Sequence, residues 1–243
     1  MFTKCLLNLI ILFVAVSNCY AQTAEDYADV GNGYIKQHSY DQAIYNFTKA
    51  IKINPKYAVI YGKRGTIYYI QGKLPQALSD INKAIEIDPT NFLSYSIRAV
   101  IYTKQGNFIQ AIADYNKTIE LNPNYTAAYL SQGALFQNHG NLNQAITDYS
   151  KAIQIKPDYA NAYNNRGATY NGQGNYSQAI LDCNKAIEIN PKYANAYINR
   201  GIAYYYEKNY NKAWENVNKA ETLGATIAPE FLEDLKKTSG RDK

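Results

Sequence analysis

The sequence is poor in the residues that most often carry chemistry or cross-link a small fold. It has three cysteines, two histidines and one tryptophan among 243 residues. His38 and His139 stand far apart, and neither has a cysteine or carboxylate at the spacing of a metal site. A glycine-rich loop of the kind that cradles phosphate is also missing. The sequence therefore predicts a protein that is not an enzyme and that holds no metal or cofactor.

Long apolar runs are equally scarce, and the most prominent one opens the chain. Lys4 precedes an apolar run over residues 5–17, which is too short to span a bilayer. Small residues follow at the spacing of a cleavage site after Ala21. This layout is typical of a secretory signal peptide over residues 1–21 and predicts export, to a periplasm or out of the cell. The mature chain would then have no transmembrane segment.

A lipoprotein signal is the alternative interpretation of the same residues, with Cys19 as the acylated first residue. Asn18, directly before it, fits such a signal poorly. Cleavage after Ala21 would instead leave Cys183 as the only cysteine, so no internal disulfide could form. Stability must then come from packing, and Cys183 is expected to be a small buried side chain.

Proline is rare, but five of the seven prolines are regularly spaced. Each stands 34 residues after the last, which indicates an internal repeat. The five are Pro55, Pro89, Pro123, Pro157 and Pro191. Alignment on them gives six repeats, which cover 24–57, 58–91, 92–125, 126–159, 160–193 and 194–227.

Other positions of the repeat keep one type of residue. Position 4 is always tyrosine, and position 11 is tyrosine or phenylalanine. Position 8 is glycine except for Ala99 in repeat three, and position 20 is always alanine. The tyrosines at position 4 are Tyr27, Tyr61, Tyr95, Tyr129, Tyr163 and Tyr197, and the alanines at position 20 are Ala43, Ala77, Ala111, Ala145, Ala179 and Ala213.

The spacing predicts two amphipathic helices in each repeat. Positions 4, 7, 8 and 11 share one face of a first helix, and positions 20, 24 and 27 share a face of a second. Small residues at positions 8 and 20 would let the two backbones approach closely. A glycine at position 15 and an asparagine at position 16 separate the helices in most repeats, and the proline ends the second helix. Because no repeat can bury its apolar faces alone, neighbouring repeats are expected to stack.

This pattern resembles the tetratricopeptide repeat family across essentially the whole mature chain. The family shows an aromatic residue, a Leu-Gly pair, a tyrosine, two alanines and a closing proline in this order. The resemblance implies an all-α protein, a superhelical α-solenoid of six helix-turn-helix repeats. A capping helix over 227–237 would close the last repeat with Ile227, Phe231, Leu232 and Leu235 on one face. A disordered tail over 238–243 would follow.

The main departure from the family pattern is at position 7, where arginine replaces leucine in four repeats. Aspartate recurs at position 23. A charge at a packing position needs a partner, so we predict a structural ladder of ion pairs within repeats or between adjacent repeats. Recognition of an acidic ligand is the alternative. The residues are Arg64, Arg98, Arg166 and Arg200 with Asp80, Asp114, Asp148 and Asp182, and Gln132 stands at position 7 of repeat four.

The resemblance also implies that the first helices line a concave groove that binds a protein or an extended peptide. Side-chain amides in a row can pair with a peptide backbone, although they could equally keep an exposed face soluble. The candidate peptide-binding residues are Lys63 and Tyr69, with Val59, Leu93 and Ile97 beside them, and Asn161, Asn164, Asn165, Asn195 and Asn199 in repeats five and six. The family's carboxylate clamp for chaperone tails is not expected, because position 5 is never lysine.

The leading hypothesis is an exported scaffold that binds a protein or peptide. The alternative is an outer-membrane lipoprotein that assists assembly of a pilus-type surface structure.

Nucleic-acid binding is a remote alternative, since the net charge is only +5. Lysine recurs at position 26, but Glu86, Glu120 and Glu188 stand three residues after three of these lysines and would repel phosphate. Sequons such as Asn124-Tyr-Thr126 leave a eukaryotic secretory pathway open.

Overall fold

The computed structural model describes residues 23–241, so the predicted signal peptide and Cys19 lie outside the described residues. Within that range the chain forms thirteen α-helices and no β-strand, which confirms the predicted all-α fold. The helices are α1 (Ala24–Lys36), α2 (Tyr40–Ile53), α3 (Ala58–Ile70), α4 (Leu74–Ile87), α5 (Phe92–Lys104), α6 (Phe108–Leu121), α7 (Thr126–Asn138), α8 (Leu142–Ile155), α9 (Ala160–Gly172), α10 (Tyr176–Ile189), α11 (Ala194–Tyr206), α12 (Tyr210–Thr222) and α13 (Pro229–Ser239). Each of the six 34-residue repeats contains two of the first twelve helices.

A left-handed residue at position 15 makes the turn between the two helices of each repeat. Gly140, for example, has φ of 77°. The next amide, that of Asn141, donates to the Phe136 carbonyl at 2.9 Å and so satisfies one of the last carbonyls of α7. In the first and sixth repeats the same turn is made by His38 and Lys208, with φ of 56° and 62°.

Close approach of the two helices depends on the glycine at position 8. A Cβ placed on Gly133 would lie 2.8 Å from the buried ring of Tyr149 at position 24. A Cβ placed on Gly31 in the same way would lie 2.5 Å from the Phe47 ring. The missing side chain therefore lets a large position-24 side chain of the second helix pack directly on the first helix.

The described chain divides into two compact units, one that ends at Ile101 and one that begins at Tyr102. In the first unit Phe47, Ile60 and Ile67 are buried in one apolar cluster. In the second unit Trp214 and Val217 are buried in an apolar cluster that also includes Leu235 of the C-terminal helix.

The predicted capping helix is present, with shifted ends. It runs over Pro229–Ser239 and not over 227–237, because Pro229 starts the helix at its first turn and Gly240, with φ of 70°, ends it. Ile227 and Leu235 are buried against the Trp214 cluster, as predicted. Thr238 and Ser239, which were predicted to lie in a disordered tail, are helical. The Trp214 indole nitrogen donates to Ser239 Oγ at 3.0 Å, so the last turn is part of the cap.

The left-handed turn makes a test of stability possible. Replacing Lys208 by glycine should raise the free energy of unfolding by about 1 kcal/mol, because a residue with a Cβ is strained at positive φ. The matched reverse change, Gly174→Ala, should lower it by a similar amount. Urea denaturation of both variants measures the effect, and a loss of stability in Lys208→Gly would contradict this account of the turn.

Candidate protein-binding surfaces

An apolar cleft lies between the first helices of repeats two and three, within the unit that ends at Ile101. Four of its lining residues are ones that the sequence places on this surface, namely Val59, Lys63, Leu93 and Ile97. Gly62, Thr66, Asn91 and Ser94 complete the lining of a cavity of about 140 Å³. Val59 and Leu93 are 48% and 44% exposed, so aliphatic side chains face solvent at its mouth.

Gly62 keeps this cleft open, a role that no feature of the repeat pattern indicates. A Cβ placed on Gly62 would have Ser94 Oγ, at 4.0 Å, as its nearest neighbour. The glycine is therefore not needed for close packing, and its missing side chain leaves the space empty. Lys63 borders the cleft, and its ammonium is held by a 2.7 Å hydrogen bond to Asn32 Oδ1 on α1.

Tyr69 is not among the residues that line this cleft. Its ring is partly buried and packs against the cluster of Ala77, Ile81 and Ile101, which lie on α4 and α5. Its assignment as a peptide-binding residue stays a prediction.

The asparagines of repeats five and six make hydrogen bonds with one another. Asn199 Nδ2 donates to Asn164 Oδ1 at 2.9 Å, and Asn164 Nδ2 donates to Asn165 Oδ1 at 3.2 Å. Asn164 is only 5% exposed, so its amide is an internal link between α9 and α11 and is not available to a peptide. Asn161 and Asn195 are exposed, and Asn165 and Asn199 are half-buried.

Arginine at position 7 forms the predicted ion pair in repeats two and five. Arg64 makes a two-pronged contact with Asp80, at 2.7 and 2.8 Å. Arg166 makes the same contact with Asp182, at 2.7 and 2.8 Å. The hydrogen bonds to Asp182 raise the pKa of the Arg166 guanidinium. These carboxylates lie on the second helix of the same repeat, so the pairs join the two helices within a repeat.

The third arm of each guanidinium reaches position 25 of the preceding repeat, a contact that the sequence did not predict. Arg64 Nη1 donates to Thr48 at 2.9 Å, and Arg166 Nη1 donates to Ser150 at 2.8 Å. A polar residue stands at position 25 in each of the first five repeats, which could have indicated this role. These residues are Thr48, Asn82, Asn116, Ser150 and Asn184. One side chain therefore joins three helices.

The other two arginines also reach position 25 of the preceding repeat. Arg98 donates to Asn82 at 2.8 Å. Arg200 donates to Asn184 at 2.6 Å and to Asn216, which replaces aspartate in repeat six, at 2.8 Å. Each guanidinium also lies 5.3–5.8 Å from the ring of the position-4 tyrosine, namely Tyr61, Tyr95, Tyr163 and Tyr197. Asp114 of the predicted ladder is buried in the second unit.

Repeat four breaks the ladder. Gln132 is buried, and its amide donates to Asn116 at 2.8 Å, which reproduces only the link to the preceding repeat. Asp148, the position-23 carboxylate, has a buried oxygen, Oδ2, with no hydrogen-bond partner among the described residues. The predicted pair is therefore wrong at Asp148. Burial raises the pKa of this carboxyl to about 7.

The outer lysines are paired on the second helices. Lys83, Lys117 and Lys185 contact Glu86, Glu120 and Glu188 at 2.6 Å in each case. All three pairs are i,i+3 contacts on exposed helix faces. The lysines at position 26 are therefore charge-balanced in these three repeats and do not form an uninterrupted basic stripe.

Cys183 is fully buried at position 24, as expected, and burial raises the pKa of its thiol to about 12.

Between residues 23 and 241 no three His, Cys, Asp or Glu side chains are grouped as metal ligands would be. No helix in the same range has the length and apolar content needed to cross a membrane.

The raised pKa of Asp148 predicts how stability depends on pH. The folded state retains this proton to about pH 7, whereas the ordinary aspartate value is 3.8. The folded state therefore binds the proton more tightly, so the free energy of unfolding should be highest below about pH 4 and should fall as pH rises towards 7. Asp148→Asn, which cannot ionise, should lack this decline. Urea denaturation of both proteins from pH 4 to 8 measures it, and parallel profiles would contradict the prediction.

Solved structures with the same fold support the helical architecture. The chain is similar to MamA, with 29% identity and a TM-score of 0.63, over 71% of this chain and 94% of that chain. It is similar to YrrB, "a TPR protein with an unusual peptide-binding site", with 22% identity and a TM-score of 0.62, over 73% and 91% of the two chains. It is also similar to Pseudomonas aeruginosa pilF, with 20% identity and a TM-score of 0.67, over 76% and 85%.

No curated protein sequence matches the chain significantly. Three family profiles do match it. One, described as "Tetratricopeptide repeat", matches residues 58–91, 93–125 and 160–193. A second, described as "TPR repeat", matches 31–69 and 139–174, and a third, also described as "Tetratricopeptide repeat", matches 183–215. None of the three describes an enzyme. Since these matches together span well over half of the chain, it belongs to the tetratricopeptide repeat family.

Proposed function

We propose that this protein is a scaffold that binds an extended segment of another protein on the first helices of its repeats. The cleft between α3 and α5 carries the proposal. It combines two exposed aliphatic side chains, Val59 and Leu93, with empty space beside Gly62. Burial of an apolar side chain in such a cleft is favourable by roughly 25 cal/mol per Å² removed from water.

The Lys63 ammonium beside the cleft favours a peptide over a small apolar molecule. Thr66 donates to the Gly62 carbonyl, Asn91 accepts from the Leu93 amide, and Ser94 is buried, so the cleft itself is apolar. The Lys63 ammonium uses one hydrogen bond on Asn32 and has further donor capacity, which suits a carboxylate or a main-chain carbonyl. The ligand that fits best is an extended segment with one aliphatic side chain next to an acidic residue.

The exposed amides of the second unit support the same kind of ligand. Asn161 and Asn195 stand at position 2 of successive repeats, and both are exposed. An amide presents a donor and an acceptor side by side, which matches the alternating groups of a peptide backbone. Such contacts would add affinity with little dependence on the ligand sequence. YrrB is described as having a peptide-binding site, but at 22% identity that likeness supports only the shared fold.

We also propose export, on the N-terminal residue pattern alone. Lys4, the apolar residues 5–17 and the small residues up to Ala21 have the order of a signal peptide. Mass spectrometry of the mature protein should find Gln22 as its first residue. An acylated Cys19 would favour the lipoprotein alternative, and an intact Met1 would contradict export.

Binding can be tested with peptides selected from a random display library against the purified protein. Gly62→Leu should place its side chain in the cleft and weaken binding of the selected peptides at least about tenfold. Gly33→Leu is the matched control, since Gly33 also lies in a first helix and a Cβ there meets nothing within 4 Å. Failure to select any peptide, or equal binding to both variants, would contradict the proposal.

A further inference from the structure

A second cavity lies in the first unit, where α3 meets α4 of repeat two. Its volume is about 510 Å³, which is within the range of cavities that bind small molecules. We call it the outer groove. Its lining residues are Tyr61 and Arg64 on α3, with Ser79, Asp80, Asn82, Lys83 and Glu86 on α4.

The outer groove is separate from the apolar cleft, because the two lie on opposite sides of α3. A helix has 3.6 residues per turn, so Tyr61 and Arg64 face away from Val59 and Thr66 of the cleft. The two cavities share no lining residue, and only the cleft is lined by aliphatic side chains. A molecule in the outer groove would therefore leave the cleft accessible.

The charged side chains of the outer groove are paired with one another. Asp80 accepts two hydrogen bonds from Arg64, at 2.7 and 2.8 Å. Lys83 contacts Glu86 at 2.6 Å. Two cations and two carboxylates leave the lining without net charge. A charged ligand of either sign would meet a like charge as well as an opposite one, which favours a neutral ligand.

A row of exposed polar groups on α4 can still bind a ligand. Ser79, Asn82 and Glu86 are all exposed, and their spacing of three and four residues places them on one helix face over about 10 Å. The Ser79 hydroxyl makes no hydrogen bond to any other described residue. Asn82 uses its oxygen to accept from Arg98, which leaves its NH₂ group to donate. Glu86 uses Oε1 for Lys83, which leaves Oε2 to accept.

We propose that the outer groove binds a neutral oligosaccharide. Each sugar hydroxyl both donates and accepts, so neighbouring hydroxyls can pair in turn with Ser79, Asn82 and Glu86. The C–H face of a sugar ring packs on an aromatic side chain, which Tyr61 supplies. A peptide fits this groove less well, because peptide affinity depends on anchoring apolar side chains and no lining residue is aliphatic.

Repeat five provides a comparison within the same chain. It keeps both ion pairs of the outer groove but has Leu181 at position 22, where repeat two has Ser79. Leu181 is 59% exposed, so the fold accepts a leucine at this position. The substitution Ser79→Leu therefore copies an arrangement that the chain already contains, and it removes one end of the polar row.

NMR titration of the full chain tests the proposal, with maltotriose, cellotriose and chitotriose as neutral probes and a heparin disaccharide as the acidic comparison. At least one neutral sugar should shift the amide resonances of Ser79, Asn82 and Glu86. Its affinity should not change with salt concentration, because the sugar is uncharged. Absence of a response to all three neutral sugars, or a stronger response to the heparin disaccharide, would overturn the proposal.

Three leucine variants locate the site. Ser79→Leu should weaken binding of the responding sugar at least about tenfold, since it removes a hydrogen-bonding group and occupies the groove. Thr147→Leu, the matched change at exposed position 22 of repeat four, should keep the affinity of the original protein. Gly62→Leu, which occupies the cleft on the other side of α3, should also keep it. Unchanged binding by Ser79→Leu, or an equal loss in either of the other two variants, would contradict the assignment.

Discussion

Close approach of two helices at position 8, which is glycine in five repeats and Ala99 in repeat three, is the constraint from which the rest of each repeat follows. A Cβ at Gly133 would overlap the Tyr149 ring, so the two backbones can be this near only because the side chain is missing. The arginine at position 7, next to the glycine, reaches polar groups on both neighbouring second helices. Arg166 shows the outcome, with Asp182 on one side and Ser150 on the other.

A polar cross-link of this kind is sensitive to the loss of one partner. Where both partners are present, the guanidinium satisfies two carboxylate oxygens and one hydroxyl, and the cost of burying the charges is offset. Where Gln132 stands in place of arginine, the link to the preceding repeat survives, but Oδ2 of the Asp148 carboxylate has no donor among the described residues. The same replacement therefore leaves repeat four connected to repeat three through Asn116 and gives its own second helix a group with a raised pKa. The raised pKa of Asp148 and the pH dependence of stability that it predicts are consequences of this one substitution.

The helices and their turns could be predicted from the sequence because they depend on period and on residues with one conformational role. Pro55 and its equivalents, and the glycines at position 15, act through the backbone and need no knowledge of neighbours. The surfaces could be predicted only in part. Val59 and Leu93 can be found by position, but Asn164 turns inward because Asn199 and Asn165 satisfy its amide, a contact between helices that no single-repeat pattern contains. The role of Gly62 also depends on its distance from Ser94 on the next repeat, and the sequence does not give that distance.

The two units differ in the chemistry of their first-helix surfaces, and each limits the proposed ligand in its own way. The first unit presents aliphatic side chains around a small cavity, which under the proposed function would select a side chain by its volume. The second presents exposed amides, which would pair with an extended backbone and tolerate many side chains. A folded partner with a smooth surface would use neither feature well, since its backbone is already hydrogen-bonded and its aliphatic side chains are buried. An unfolded or terminal segment offers free backbone groups and accessible aliphatic side chains, and its ordering on binding would keep the proposed interaction weak and reversible for its area.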